Sequence, residues 1–108
     1  PPMTDPLTNW HQLRGFQRDC LVTIARLEIR DNPPYGLAIK RECQFLRDEE
    51  VTHNKLYPNL DELADHGLIT KQELDARTNS YELTNAGRTL VTNRAAAFQT
   101  LVTDEEPA

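Results

Sequence analysis

The sequence predicts a mostly helical domain with one two-stranded β-hairpin, in the order helix, helix, helix, hairpin, helix. Three observations support this fold class. Apolar residues recur at three- and four-residue steps in four stretches, which is the spacing of amphipathic helices. Prolines and glycines stand between these stretches, where helices end. Ahead of the last stretch, two short segments flank a polar connection, as in a hairpin. The chain of 108 residues suffices for one such domain.

The first two helices are separated by a pair of prolines. The first helix is predicted over residues 12–29, with apolar positions at Leu13, Phe16, Cys20, Ile24 and Leu27. Pro33 and Pro34 stop it, because proline donates no backbone hydrogen bond and restricts the residue before it. The second helix should begin at about Tyr35 and bury Ile39, Cys43 and Leu46. We expect it to end at the acidic run 48–50, which opposes the helix dipole.

The third helix has an apolar stripe of Leu56, Leu60 and Leu63. Pro58 is expected in its first turn, where backbone N–H groups have no partner, so the helix should begin near Asn54 or Lys55. Gly67 is free to adopt the left-handed conformation that ends a helix.

Strands are predicted at residues 68–74 and 80–83, joined by the polar connection 75–79. Thr84 can cap a last helix that runs to about Thr103, with apolar positions at Ala86, Leu90, Val91, Ala97, Phe98, Leu101 and Val102. The expected organisation is an N-terminal arm at 1–13, a domain of three helices and a hairpin at 14–84, a last helix at 85–103 and a disordered acidic tail at 104–108.

Signatures of enzymes and metal sites are missing from the sequence. The four glycines are scattered and form no phosphate-binding loop, and neither GxSxG nor HExxH occurs. The three histidines fall in different segments without ligand spacing. Cys20 and Cys43 are single residues on apolar faces, so we expect buried packing in preference to redox chemistry. We therefore expect no catalytic residues, no cofactor and no metal.

Three short helices followed by a hairpin form the winged helix-turn-helix arrangement. In it the third helix can enter the major groove of double-stranded DNA, and the hairpin tip reaches the adjacent groove. Arginine on a protruding loop suits a narrow, electronegative minor groove. The candidate DNA-binding residues are His53, Asn54, Lys55, Tyr57, Asn59, Lys71, Arg77, Thr78, Asn79 and Tyr35.

The later turns of the third helix carry Asp61, Glu62 and Asp65. Phosphate would repel these carboxylates, so we expect only the first two turns to touch DNA. The alternative is that residues 53–59 merely cap and solvate the helix.

Three ordered motifs carry a family resemblance. The run HNKLYPNL at 53–60, followed by GLI at 67–69, resembles the recognition segment of PadR-like transcriptional regulators. YGLAI at 35–39 is similar to the opening of the family's second helix, and YELTNAGR at 81–88 to the junction into its last helix. The likeness covers residues 14–103 and is greatest to haloarchaeal members, some of which regulate responses to reactive oxygen species. It implies a homodimeric winged-helix regulator. His53-Asn54 stands where many members carry glycine, so base preference is not carried over.

The last helix has an apolar face wider than one small core needs. Exposed, such a face promotes aggregation; paired, it is an interface. The expected homodimer interface comprises Trp10, Leu13, Phe16, Leu90, Val91, Ala97, Phe98 and Leu101. The alternative is that the helix folds back on its own domain.

The net charge of −5 argues against nucleic-acid binding at first sight, because such domains are usually basic. Residues 14–103, however, hold 12 basic and 13 acidic residues, a balance of −1. Only three of the 12 basic residues are lysines, and this pattern with excess acid is typical of proteins adapted to molar salt. We therefore expect DNA affinity that is flat or rising with salt, with salt cations bound where carboxylates approach phosphate.

Two other functions stay open. A winged-helix module that binds protein would suit the acidic balance, and a pocket beneath the dimer helices could sense a ligand or an oxidant. No apolar run of about 18 residues could span a membrane. We expect a cytoplasmic transcription regulator that acts at pseudo-palindromic promoter sites.

Overall fold

The structure, a computed structural model, describes residues 9–103 and has the predicted order of elements. After a short 3-10 turn at Trp10–Gln12 come α1 (Gly15–Ile29), α2 (Gly36–Arg47), α3 (His53–Asp65), β1 (Ile69–Glu73), β2 (Asn79–Leu83) and α4 (Asn85–Thr103). The predicted fold class is confirmed. The predicted acidic tail and residues 1–8 of the predicted arm lie outside the described residues.

Local hydrogen bonds set the helix boundaries. Thr52 Oγ1 accepts the backbone N–H of Lys55 at 3.2 Å, so Thr52 is the cap of α3 and the helix begins at His53. This start is earlier than predicted, and Pro58 lies in the second turn, where the sequence placed it in the first. Because proline has no N–H, the Asn54 carbonyl lacks its usual hydrogen-bond donor in the helix. Both residues are exposed, so water can donate to this carbonyl instead. Asp48 ends α2 with a left-handed φ of 54°.

The predicted apolar faces of α1 and α3 form the core together with residues of α2 and the hairpin. Leu46 is an exception: it is 41% exposed, although its spacing predicted burial. It lies in the last turn of α2, and Val51, just beyond this turn, is fully buried at the same end of the core. The backbone N–H of Val51 donates to Gln44 Oε1 at 3.1 Å and so holds the chain there.

The hairpin is joined to the start of α2 as well as to α3. In its antiparallel register Ile69 pairs with Leu83 and Lys71 with Tyr81. Tyr35, the cap of α2, forms an isolated bridge with Ser80. These pairs place the first turn of α2 against the second strand, so that α2, α3 and the hairpin converge on one side of the domain.

The predicted cap of α4 is confirmed. Thr84 Oγ1 accepts the N–H of Gly87 at 3.0 Å and donates to the carbonyl of Gly67 at 2.7 Å. A Cβ at Gly87 would lie 2.1 Å from the Leu68 carbonyl oxygen, so only glycine allows this close approach. Arg88 donates to Glu28 at 2.7 Å, which ties the start of α4 to the end of α1.

The folded domain begins ahead of the predicted boundary at residue 14. Leu13 is only 5% exposed and belongs to the core, which agrees with its place among the predicted apolar positions of the first helix and not with its place in the predicted arm. The Arg18 guanidinium donates to the carbonyls of Trp10 and His11 at 3.1 and 3.0 Å and holds the 3-10 turn against α1.

Candidate nucleic-acid interface

A cleft of about 670 Å³ lies where α2, α3 and the hairpin converge. It is lined by Tyr35, Gly36, Leu37, His53, Tyr57, Asp61, Lys71, Arg77, Thr78 and Asn79. Seven of the ten candidate DNA-binding residues are among them. Residues far apart in the sequence thus form one concave surface.

The α3 wall of the cleft is formed by residues four apart. His53, Tyr57 and Asp61 lie on one face because four residues make slightly more than one turn. The His53 and Tyr57 rings stack at a tilt of 39°, with centroids 5.3 Å apart. The Tyr57 side chain packs so closely on Gly36 that a Cβ there would meet its hydroxyl oxygen at 2.5 Å. This contact sets the spacing between α2 and α3.

The hairpin wall carries two cations. Lys71 stands on β1, and Arg77 stands in the connection between the strands, next to Thr78 and Asn79. Asp75 Oδ1 accepts the backbone N–H of Arg77 at 2.8 Å, and this hydrogen bond lowers the pKa of Asp75. The connection is thereby fixed as a turn that holds the exposed Arg77 at the tip.

Lys55 and Asn59 do not line the cleft. The Lys55 ammonium lies 4.8 Å from the centroid of the Phe16 ring on α1. Asn59 Oδ1 accepts from Gln17 Nε2 at 3.2 Å and from Arg14 Nη1 at 3.4 Å, while its Nδ2 donates to the Lys55 carbonyl at 2.7 Å. All these contacts are within the domain, so Asn59 joins α3 to α1.

Asn54 lies outside the cleft too, but for a different reason. It is exposed in the first turn of α3, next to His53. Its position leaves it free to meet a DNA surface that the helix start approaches.

Three lining residues escaped the sequence-based selection of contacts: Gly36, Leu37 and Asp61. Leu37 is 53% exposed and is out of phase with the buried Ile39 and Cys43 on α2. This difference in helical phase is the sequence signal that could have identified Leu37 as a cleft residue. The sequence predicts that Asp61 lies on turns away from DNA, yet its carboxylate lies 3.6 Å from the Lys71 ammonium of the cleft. It partly neutralises a cation of the hairpin wall.

The predicted dimer residues divide into two groups. Leu13 and Phe16 are 5% and 6% exposed in the core of their own domain, so they do not offer a face to a second molecule. Leu90 and Val91 are half-buried against that core, and Trp10 borders the same region of α4. Phe98 and Leu101 are exposed, as are Ala97 and Val102. The second half of α4 therefore presents an uncovered apolar face.

Both cysteines are fully buried, as expected, and belong to one hydrophobic core, with Cys20 on α1 and Cys43 on α2. Thr23 Oγ1 also lies 3.4 Å from Cys43 Sγ.

Within residues 9–103, no group of three or more His, Cys, Asp or Glu side chains is arranged to hold a metal ion. In the same part of the chain, no helix combines the length and the apolar character needed to cross a membrane.

Comparison with known proteins agrees with this geometry. The model of the PadR-like family of transcriptional regulators matches residues 27–93. A complex structure of RosR from H. salinarum is 41% identical over 86% of this chain and 80% of that chain, with a TM-score of 0.72. A second RosR complex is 38% identical over 94% of this chain and 84% of that chain, with a TM-score of 0.79.

A PadR-like transcription factor from B. fragilis is 20% identical over 77% of this chain and 81% of that chain. Its TM-score of 0.57 shows the shared fold. A search of curated proteins found no match. The extent of the family match and the identity to RosR show that the chain belongs to the PadR-like family: it is a winged-helix, DNA-binding transcription regulator and not an enzyme.

Proposed function

We propose that the protein is a homodimer that binds pseudo-palindromic promoter sites through the cleft between α2, α3 and the hairpin. The observation that carries this proposal is the convergence of His53, Tyr57, Lys71 and Arg77 on that one cleft. Two copies related by a twofold axis would present two recognition helices to half-sites about one helical turn, roughly 10 bp, apart. As a chromosome-binding regulator it would act in the cytoplasm.

The start of α3 supplies the groups for base recognition. His53 and Asn54 are exposed there, and an asparagine amide can pair with both N6 and N7 of adenine in the major groove. The unpaired backbone N–H groups of the first turn also favour phosphate. Arg77 at the hairpin tip suits the minor groove of the neighbouring segment.

The exposed half of α4 supports the homodimer. Phe98, Leu101 and Val102 are 53%, 79% and 78% exposed, and they lie within two turns of one helix. In a twofold-symmetric dimer, the α4 helices of the two copies would each cover the apolar face of the other. Trp10, Leu90 and Val91 stand at the edge of this proposed interface, whereas Leu13 and Phe16 support it from the core.

The Lys71–Asp61 ion pair supports binding adapted to high salt. Both side chains are partly exposed, at 35% and 57%, so dissolved ions screen their attraction. At molar salt the Debye length is about 3 Å, which leaves Lys71 free to turn to a phosphate. The carboxylate that Lys71 leaves can then take up a salt cation beside the DNA. The similarity to RosR of H. salinarum also supports DNA binding that is adapted to high salt.

Titration onto fragments of the protein's own promoter region tests the proposal. We expect saturable binding to a fragment with an inverted repeat, with two chains per site, and no binding to a scrambled repeat. Mapping of bound chromosomal sites with and without oxidant would test the expected role in stress response. Binding to no fragment at any salt concentration would contradict the proposal and favour the protein-binding alternative.

A further inference from the structure

Two large apolar side chains on α1 and α2 are exposed to solvent. Ile29 at the end of α1 is 84% exposed, and Phe45 in the last turn of α2 is 80% exposed. Leu46, next to Phe45, is 41% exposed. None of the three lines the DNA cleft, and none belongs to α4, which carries the proposed dimer interface. The proposed function therefore does not account for their exposure.

Ion pairs between the two helices place these side chains on one surface. Glu42 Oε1 on α2 lies 3.1 Å from Arg30 Nη2 and 3.5 Å from Arg26 Nε, both on α1. Ile29 lies between Arg26 and Arg30 in the chain, within one helical turn of each. Phe45 lies three residues beyond Glu42, again within one turn. We call the surface formed by these five residues the α1–α2 face.

The Ile29 end of the α1–α2 face is basic. Arg26 and Arg30 share the carboxylate of Glu42, so this end keeps one positive charge. The two arginine side chains are 44% and 47% exposed, so a second molecule can reach them. Asp31 follows Arg30 in the chain, but it lines a hollow beside the hairpin that includes none of these residues.

The Phe45 end of the α1–α2 face is acidic. The exposed residues 48–50 follow the last turn of α2 and carry three carboxylates. Two arginines of α2 oppose them: Arg47, which pairs with Glu49 at 2.8 Å, and Arg41, one turn before Phe45. This end therefore keeps one negative charge, and the two ends of the face are opposite in sign.

We propose that the α1–α2 face binds the same face of a second copy of this chain, with Ile29 of one copy against Phe45 of the other. A twofold axis then brings the basic end of each face to the acidic end of its partner and covers both apolar side chains. A partner of uniform charge would be attracted by one end and repelled by the other. Because few apolar side chains take part, we expect a weak contact that forms at submillimolar protein concentration and not at micromolar concentration.

This contact is separate from the proposed homodimer. If the chain dimerises through α4, the α1–α2 faces would link one dimer to the next, and that consequence rests on the proposed function. If the chain does not dimerise through α4, the same faces would join two monomers. The pairing of the faces can therefore be tested independently of α4.

Cysteine cross-linking tests the pairing directly, because both natural cysteines are fully buried. Ile29→Cys and Phe45→Cys are prepared as separate full-length variants, mixed at submillimolar concentration and oxidised with copper phenanthroline. We expect severalfold more cross-linked dimer in the mixture than in either variant alone, since the twofold axis brings unlike positions together. A mixture of Ile29→Cys with Leu74→Cys, which is 47% exposed after β1, is the control and should show no such excess.

Sedimentation equilibrium at low salt, where charges are least screened, tests the orientation. Arg30→Glu or Glu50→Arg alone places like charges together and should weaken the association severalfold. The double variant Arg30→Glu/Glu50→Arg exchanges the signs of both ends and should associate more strongly than either single variant. A double variant that associates more weakly than both would show that the proposed orientation is wrong.

Leu101→Asp, which disrupts the proposed α4 interface, separates the two contacts. A cross-link between positions 29 and 45 that persists in this background supports the α1–α2 face. If the cross-link forms only when α4 is intact, it belongs to the α4 dimer, and the proposal is wrong. The proposal is also wrong if the mixture gives no more cross-link than the control. A wild type that is monomeric at micromolar concentration would refute the α4 homodimer alone, and the cross-link would still decide the α1–α2 face.

Discussion

The ammonium of Lys71 on β1 lies 3.6 Å from the carboxylate of Asp61 on α3, across the cleft between hairpin and recognition helix. A cation that we propose for phosphate binding is thus paired with an acidic residue of the same surface. Under the proposed function this pair would link DNA binding to salt, because ions that weaken the pair release both partners.

Replacement of the carboxylate should change the salt dependence of binding. In Asp61→Asn we expect higher DNA affinity than wild type at low salt, because Lys71 is free and repulsion is gone. The DNA affinity of the wild type should stay constant or rise as the salt concentration approaches molar. The DNA affinity of the variant should instead fall steeply, as is usual for DNA-binding proteins. Fluorescence anisotropy over a salt series measures both effects. Asp65→Asn, on the same helix but outside the cleft, is the matched control and should behave as wild type.

Two asparagines of α3 should separate folding from DNA recognition. Asn59→Ala removes side-chain hydrogen bonds to Gln17, Arg14 and the Lys55 carbonyl, so the free energy of unfolding should fall by about 1–3 kcal/mol. Its DNA affinity, measured below the melting temperature, should match that of the wild type. Asn54→Ala should give the opposite result, with unchanged thermal stability and weaker binding to the cognate site. Equal effects of both variants on affinity would refute this assignment.

The exposed half of α4 should determine the oligomeric state. Leu101→Asp places a charge on the proposed interface, and we expect a monomer by light scattering at micromolar concentration. Affinity for a two-half-site fragment should fall strongly, since each half-site is then bound separately. Gln99→Glu adds the same charge to an exposed position of the same helix and should remain dimeric. A wild type that is monomeric at this concentration would contradict the interface.

Periodicity was sufficient to predict most of the fold. The apolar stripes of α1 and α3 and the cap at Thr84 are local features, which spacing and residue type reveal directly. The predictions that failed concern contacts between elements of the fold. Spacing shows which face of α2 is apolar, but not that Leu46 stays exposed while Val51, beyond the helix, is buried. It shows where Lys55 stands on α3, but not that α1 places a phenyl ring beside it.

In the candidate site, too, the sequence predicted local features but not contacts between elements. The residue types at the hairpin tip and at the start of α3 predict contacts there, and in the structure His53 and Arg77 line one cleft. The sequence could not show that Asp61 faces Lys71, because the two residues stand on different elements whose relative position depends on packing. Leu37 was detectable in principle, since its phase on α2 differs from that of the buried residues.

The most direct test of the cleft as the DNA-binding surface compares two double variants that lose the same charge. Lys71→Gln/Arg77→Gln removes both cations of the hairpin wall, and Arg26→Gln/Arg30→Gln removes two half-exposed arginines at the end of α1, which pair with Glu42. The measurement is the dissociation constant for the promoter fragment at low and at molar salt. We predict weakening on the order of 100-fold for the hairpin variant at molar salt, a smaller loss at low salt, where Asp61 holds Lys71, and little change for the α1 variant. Equal loss in both variants, or unchanged affinity in the hairpin variant, would contradict the assignment of this cleft to DNA.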